Sequence, residues 1–295
     1  MDETSDAIDV IDFRNNDGLN LPLKELPEMR WQKRKRPATN SMPEWKICGA
    51  DTETVRGRCF LFSTEKGVYY IDSLFDLIKV LYNKDHASKW TRGKKSGKKA
   101  KQKINRGYST KEFFFYNLKF DATATVLHYC EPETINQLLN GEEVEINIHS
   151  TLPEPVVEGE MIKIKYLEGK MLQLRPIDWF IGQYKIGPCI WWDISQFYGR
   201  RRLNDMAKEH LQEEKVEECF DGTILDVTRL GEDSYRETYK EDIAKYALQD
   251  AILAGKLARL KREEYLSEGI RFIKPYSLAN VAQRNLLDFC KIPTI

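Results

Sequence analysis

The sequence predicts an α/β protein whose core is a sheet with helices packed on it. The run from Phe113 to Tyr116 places four aromatic residues in a row, which is typical of a short strand buried on both faces. Three earlier strand candidates lie at 45–50, 58–64 and 67–72. Later, the segment 240–265 combines strong helix formers with apolar residues at three- and four-residue steps. Strands followed by helices on one chain indicate this layered class.

The first elements follow from their turn and cap residues. Residues 1–43 are interrupted by prolines and are expected to form an irregular extension. Gly57 and Gly67 supply the turns that join the three strand candidates into an antiparallel meander. Ser73 is a suitable N-cap for a helix that runs through Leu81.

The elements after the aromatic strand are predicted from hydrophobic periodicity. Asp121 opens one helical run and a second helix is expected over 132–139. Residues 143–175 alternate apolar and polar side chains, which predicts half-exposed strands and hence a small β insertion. A strand at 189–193 and a helix from Leu203 to Leu211 follow.

These elements define one expected domain over 44–268. Residues 269–295 are then either a C-terminal helix, for which Ser277 is the cap, or the start of a following domain.

Composition excludes several classes of protein. The 295 residues include 46 basic and 46 acidic residues, and the acidic, polar start is unlike a signal peptide. No apolar run reaches the length of a membrane span, so no membrane partner is expected. Six scattered cysteines without a Cys-x-x-Cys pair suggest neither a zinc module nor a disulfide framework. Reduced thiols and a cytoplasmic location are the simplest expectation.

The heaviest block of basic residues lies within 84–110, a segment expected to be a flexible arm. Its Gly, Ser and Lys content cannot bury enough apolar area to fold alone. One interpretation is a solvated surface loop. The other is an arm that contacts nucleic-acid phosphates through the side chains of Lys94, Lys95, Lys98 and Lys99.

The most informative pair of residues is Asp51 and Glu53, at the end of the first predicted strand. Side chains alternate along a strand, so these two carboxylates share a face. Two adjacent anions repel each other unless a cation lies between them, and hard oxygen donors suit Mg²⁺ or Mn²⁺. Asp-x-Glu also occurs by chance on many strand ends, so the pair alone is a weak signal.

Two further segments carry acidic residues at defined positions. Asp121 follows Asn117 at a strand-to-helix junction, where each residue alone is explained as a helix-start and a turn residue. Tyr246 and Asp250 lie four residues apart and share one helix face. That face is either solvated or packed, and small neighbours such as Ala247 would allow close packing.

In this order the three motifs resemble those of the DEDDy 3′→5′ exonucleases. The segment Tyr-Asn-Leu-Lys-Phe-Asp at 116–121 resembles the second exonuclease motif of protein-primed family B DNA polymerases. The 191–198 stretch, which contains a strand ending in Asp193, is also similar, and the resemblance covers residues 44–268. It implies a ribonuclease-H-like fold, a mixed sheet flanked by helices.

The resemblance also implies an activity and its residues. Asp51, Glu53, Asp121 and Asp250 would bind two Mg²⁺ or Mn²⁺ ions, with Tyr246 as a further catalytic residue that orients water. Residues that would bind the DNA 3′ end are Thr54, Asn117, Phe120 and Lys215. Lys215 matches the family pattern least well, because the family has an apolar residue three positions later and this chain has Glu218 there. Lys208 or Lys185 could supply the positive charge instead.

The expected function is therefore removal of nucleotides from the 3′ end of single-stranded DNA. The expected setting is proofreading during DNA replication of a virus, plasmid or prokaryote, with a polymerase module or a terminal protein as partner. No polymerase palm can be placed in the chain, so a free-standing nuclease and a polymerase fragment both remain open. Two alternatives are a non-catalytic nucleic-acid-binding scaffold of the same fold and a 3′→5′ exoribonuclease, since no residue indicates whether a 2′-hydroxyl is accepted.

Overall fold

The computed structural model describes residues 41–93, 104–148, 161–178, 180–181, 184–215, 218–275 and 277–289. In chain order the strands are β1 (Ile47–Val55), β2 (Arg58–Thr64), β3 (Gly67–Tyr70), β4 (Ala87–Gly93), β5 (Ile104–Thr110), β6 (Glu112–Phe115), β7 (Glu143–Asn147), β8 (Met161–Leu167), β9 (Met171–Pro176), β10 (Phe180–Ile181), β11 (Tyr184–Ile186) and β12 (Cys189–Asp193). The α-helices are α1 (Leu74–Leu81), α2 (Leu118–Thr125), α3 (Pro132–Leu139), α4 (Leu203–Leu211), α5 (Asp233–Thr238), α6 (Lys240–Ser267) and α7 (Leu278–Phe289).

Within the described residues, eight strands form one sheet in the order β3-β2-β1-β6-β12-β9-β8-β7. The predicted antiparallel meander is confirmed in β1, β2 and β3. At the centre, β6 pairs in parallel with both β1 and β12. The fold is thus an α/β fold with a mixed sheet flanked by helices, as predicted, and it is compatible with the ribonuclease-H-like arrangement.

β1 is longer than the sequence predicts. The predicted strand stops at residue 50, whereas β1 continues to Val55 through the acidic pair. Glu53 still pairs with Leu61 of β2, and the register shifts only after it. Backbone pairing with β2 therefore overrides the polar composition of these residues, and the acidic pair lies within a strand and not beyond its end.

The strands expected as a β insertion extend the large sheet. β9 pairs antiparallel with β12, and β8 and β7 follow it outward. Across the last pair of strands, Lys163 lies 2.9 Å from Glu145 and Lys165 lies 3.6 Å from Glu143. These facing opposite charges line the strand pair at the end of the sheet.

Residues 84–93 and 104–110 differ from the expected flexible arm, because they include two paired strands. β4 and β5 pair along their whole length, from Ala87 with Thr110 to Gly93 with Ile104. They join β11 and β10 in a second, four-stranded sheet. Composition alone missed this hairpin because its flanking residues pair with each other and with β11. The lysines Lys94, Lys95, Lys98 and Lys99 lie outside the described residues.

The central strand is buried on both faces, as predicted. Phe113 and Phe115 pack into a hydrophobic cluster on one side of the sheet, while Phe114 packs into another with Trp192 and Phe272. The helix caps are confirmed as well: Ser73 Oγ accepts from the backbone N–H of residue 76 at 3.1 Å, and Ser277 Oγ from that of residue 280 at 3.2 Å.

Two glycines set the distance between β1 and α6. A Cβ atom at Gly49 would collide with the backbone of Ala251 and Gly255 on α6. Glu65 joins the two elements, because it accepts from the Gly49 N–H at 3.0 Å and lies 2.9 Å from Arg259. The backbone of α6 therefore packs directly against the backbone of β1. This contact places the polar residues of α6 beside the polar residues of β1.

Candidate functional site

β1 presents its acidic pair on the face that α6 covers. Asp51 and Glu53 follow Gly49 at two-residue steps, so their side chains point to the same side as the glycine contact with α6. Glu53 is only 8% exposed. Thr52, between them, points to the opposite face of the strand.

α6 contributes the second set of residues. Tyr246 and Asp250 share the helix face that approaches β1, one helical turn apart. Asp250 is buried at 6% exposure, and Ala247 and Ala251 beside it are fully buried. The helix face that carries Tyr246 and Asp250 is therefore packed and not solvated.

Asp121 reaches the site from α2, and a polar network fixes the turn before it. Asn117 adopts a left-handed conformation with φ of 79°. Its backbone N–H donates to Asp193 Oδ1 at 3.4 Å, and the hydroxyl of Ser195 donates to the same oxygen at 2.6 Å. The Asp121 carboxylate is buried and accepts from the Thr52 hydroxyl at 2.7 Å. Asp193 thus orients the turn that presents Asp121.

The four carboxylates interact electrostatically. Burial raises the pKa of Asp51 well above its usual range, and the charges of Asp250, Glu53 and Asp121 raise it further. Burial, followed by the charge of Asp250, raises the pKa of Glu53 to about 8. For Asp121 burial also raises the pKa to about 8, against the opposing effect of the Thr52 hydrogen bond. Cations are what would keep such a set ionised at neutral pH.

Lys215 already supplies one positive charge. Its Nζ lies 2.5 Å from Asp250 Oδ2 and donates to the Tyr246 hydroxyl at 2.7 Å. Burial lowers the pKa of Lys215, but the ion pair with Asp250 outweighs burial and raises it. The backbone N–H of Lys215 is tied to Asn204 of α4 at 3.1 Å. Lys215, which matches the family pattern least well, is therefore in direct contact with Asp250 and Tyr246.

The alternatives to Lys215 lie elsewhere. Lys208 pairs with Glu214 at 3.1 Å and Lys185 with Asp178 at 2.8 Å. Neither lysine lines the cavities described below.

Two adjoining cavities open at the carboxylates. The smaller, of about 300 Å³, is lined by the four carboxylates and Tyr246. Its wall also includes Thr54, Asn117 and Phe120, and Phe120 is 51% exposed. Sequence reasoning missed two further wall residues, Val227 and Leu230, because the segment 213–238 has no clear periodicity.

The larger cavity, of about 890 Å³, shares Asp51 and Asp250 with the smaller one. It extends toward three consecutive arginines at 200–202, which sequence reasoning also missed. Their only sequence signal is the charge run itself, directly after Gly199.

The donor set suits a hard divalent cation, but it does not form a ready-made metal centre. Every candidate ligand is a carboxylate oxygen, the donor type that Mg²⁺ and Mn²⁺ prefer. Within the ranges described above, no three His, Cys, Asp or Glu side chains are grouped closely enough to hold a metal ion. Asp121 is turned toward Thr52, and Asp250 toward Lys215. One oxygen of each of these two carboxylates is thus already hydrogen-bonded within the protein.

Comparisons with protein-family models, with curated proteins and with solved structures found no match. Among the helices of the described segments, none is long and apolar enough to cross a membrane.

Proposed function

We propose that the chain is a metal-dependent 3′→5′ exonuclease that acts on single-stranded DNA. The observation that carries the proposal is the convergence of Asp51, Glu53, Asp121 and Asp250 on one cavity from three separate elements. Their mutually raised pKa values indicate a concentration of negative charge that a cation would stabilise.

The side chains that line the two cavities support hydrolysis of a terminal phosphodiester. The four carboxylates would hold two divalent ions, which supply Lewis acidity and lower the pKa of water. Tyr246 lies at the cavity wall, where its hydroxyl can orient the attacking water. Water adds to phosphorus and gives up a proton, the bond to the 3′ oxygen of the preceding nucleotide breaks, and that oxygen takes up a proton to become the new 3′-hydroxyl as a nucleoside 5′-monophosphate is released.

Other cavity residues would bind the substrate. The ammonium of Lys215 would neutralise the scissile phosphate. Phe120 is exposed in the cavity wall and would pack against the terminal base. In this proposal the enzyme serves as a proofreading module for replication of the protein-primed family B type.

The test is shortening of a 5′-labelled single-stranded oligonucleotide with Mg²⁺ or Mn²⁺. Asp51→Asn and Asp250→Asn are expected to lower the rate at least about a thousandfold. Asp72→Asn is the matched control, because Asp72 is an exposed carboxylate that lines neither cavity. Full activity in both site variants would refute the proposal, and matched RNA and DNA substrates decide between exoribonuclease and exodeoxyribonuclease.

A second candidate is a non-catalytic scaffold that binds nucleic acid. The ion pair between Lys215 and Asp250 favours it, because an ammonium then takes the place of a cation at one carboxylate. Titration calorimetry with Mn²⁺ separates the two candidates. The exonuclease is expected to bind Mn²⁺, with binding lost in Asp51→Asn, whereas the scaffold is expected to release no binding heat.

A further inference from the structure

The three arginines at 200–202 follow an abrupt change of backbone direction. The 3₁₀ turn Ser195–Tyr198 ends at Gly199, and both Gly199 and Arg200 are left-handed, with φ of 65° and 57°. α4 begins one residue after Arg202. The tripeptide is therefore held between two short helical elements, and all three side chains are exposed at the larger cavity.

Three of the five cationic side chains of this cavity are already paired. Lys119 lies 2.5 Å from Glu168, Arg201 lies 2.6 Å from Glu209, and Lys215 is paired with Asp250. In contrast, within the described part of the chain, no hydrogen bond or ion pair involves the guanidinium group of Arg200 or Arg202, although the positive charge of Arg200 partly offsets the burial that raises the pKa of Asp193.

The two cavities also differ in what they can accept. The smaller one has an apolar wall of Phe120, Val227 and Leu230 beside the carboxylates, which suits one base. The larger one starts from the same Asp51 and Asp250 and leads away toward Arg200 and Arg202. A guanidinium group matches the geometry of a phosphate with two parallel hydrogen bonds.

We propose that the larger cavity binds the sugar–phosphate backbone of the nucleotides that precede the 3′ end. Arg200 and Arg202 each contact a phosphate, whereas Arg201 stays paired with Glu209 and contacts none. The order of nucleotides along the cavity rests on the proposed exonuclease function, whereas the binding of a single strand does not. Single-strand grooves typically combine such cations with an aromatic platform, here Phe120.

The experiment measures binding of a labelled single strand of about 12 thymidine nucleotides by the full chain, in EDTA, over a series of KCl concentrations. Each lost contact to a single-strand phosphate lowers the slope of log affinity against log salt by about 0.7. The double variant Arg200→Gln/Arg202→Gln is therefore expected to lose about 1.4 from the slope and to bind roughly tenfold more weakly at 150 mM KCl.

Two controls separate phosphate contacts from a change in net charge. Arg201→Gln removes a neighbouring charge that is paired with Glu209, and Lys163→Gln removes one on β8. Both are expected to keep the wild-type slope. All four substituted positions carry side chains at the surface or in surface pairs, so thermal unfolding is expected to stay unchanged and verifies that each variant is folded.

Three results overturn the proposal. They are an unchanged slope in the double variant, an equal loss of slope in Arg201→Gln, or displacement of the oligonucleotide by polyglutamate at the same concentration of negative charges. If the slope falls as expected but wild-type protein shows no metal-dependent shortening, the exonuclease proposal fails and the binding surface stands. If shortening occurs and the slope is unchanged, the exonuclease stands and the strand takes another route.

Discussion

Replacing Gly49 by alanine tests the backbone contact that positions the site. The new Cβ atom would lie 2.8 Å from the Cα of Gly255, and closer still to the carbonyl oxygen of Ala251. Carbon atoms in contact rest about 3.5–4.0 Å apart, so β1 and α6 must separate by at least about 0.7 Å at this point. The substitution adds one methyl group, and overpacking of this kind costs about 1–3 kcal/mol of unfolding free energy.

The same separation moves Asp250 away from Asp51. Asp51 lies two residues after Gly49 on β1, and Asp250 directly precedes Ala251 on α6. A misplacement of about 1 Å can lower a catalytic rate about a hundredfold, so a loss of tenfold to a hundredfold is expected for Gly49→Ala.

Urea denaturation and oligonucleotide shortening measure the two effects separately. Gly231→Ala is the control, because no atom lies within 4 Å of a Cβ built there. The reasoning is refuted if Gly49→Ala stays within about 0.5 kcal/mol of wild type and cleaves at the same rate.

Three further predictions concern charge and exposure at the site. An acid whose pKa is higher in the folded protein holds more protons folded than unfolded, so the metal-free chain should lose stability from about pH 4.5 to about pH 8 as Glu53 ionises. Denaturation at a series of pH values in EDTA checks this, and Glu53→Gln should reduce the slope without abolishing it, because the raised pKa values of Asp51 and Asp121 act in the same direction; a stability that rises with pH contradicts it. Lys215→Met leaves the buried Asp250 carboxylate without its ammonium partner and should cost about 3 kcal/mol or more at pH 8, measured by urea denaturation, with Lys208→Met as an exposed control near zero. Phe120→Ala should leave the thermal unfolding temperature unchanged, since the ring is 51% exposed, yet weaken binding of a single strand by about 1–3 kcal/mol in fluorescence anisotropy; unchanged binding would remove Phe120 from the substrate contacts.

The fold class was accessible from the sequence because its signals are local. Aromatic residues at 113–116, turn glycines at 57 and 67, and the cap at Ser73 each act within a few residues. The extent of β1 was not accessible, since pairing of Glu53 with Leu61 depends on a neighbouring strand. The hairpin of β4 and β5 was missed for the same reason, as its pairing outweighs a composition typical of loops.

The candidate site was predictable in its residue types and less so in its contacts. Asp51, Glu53, Asp121 and Asp250 line one cavity, as expected from motif order. The orientation of Asp121 toward Thr52 depends on a hydrogen bond between residues 69 positions apart. Likewise, the contact of Lys215 with Asp250 spans 35 positions and involves the loop after α4. The spacing of motifs in the sequence does not indicate which hydrogen-bond partner each of these side chains has.

The charged pairs between β7 and β8 have a consequence for how copies of this chain behave together. Among the described residues β7 is the last strand of the large sheet. An open sheet exposes hydrogen-bonding groups along its last strand, and a strand from another molecule can add to them. An incoming copy of β7 would bring Glu143 and Glu145 against the same two glutamates, or would need lysines in matching register. Substituting valine for both glutamates would remove this electrostatic repulsion. We expect such a variant to form fibrils by pairing between the edge strands of different molecules.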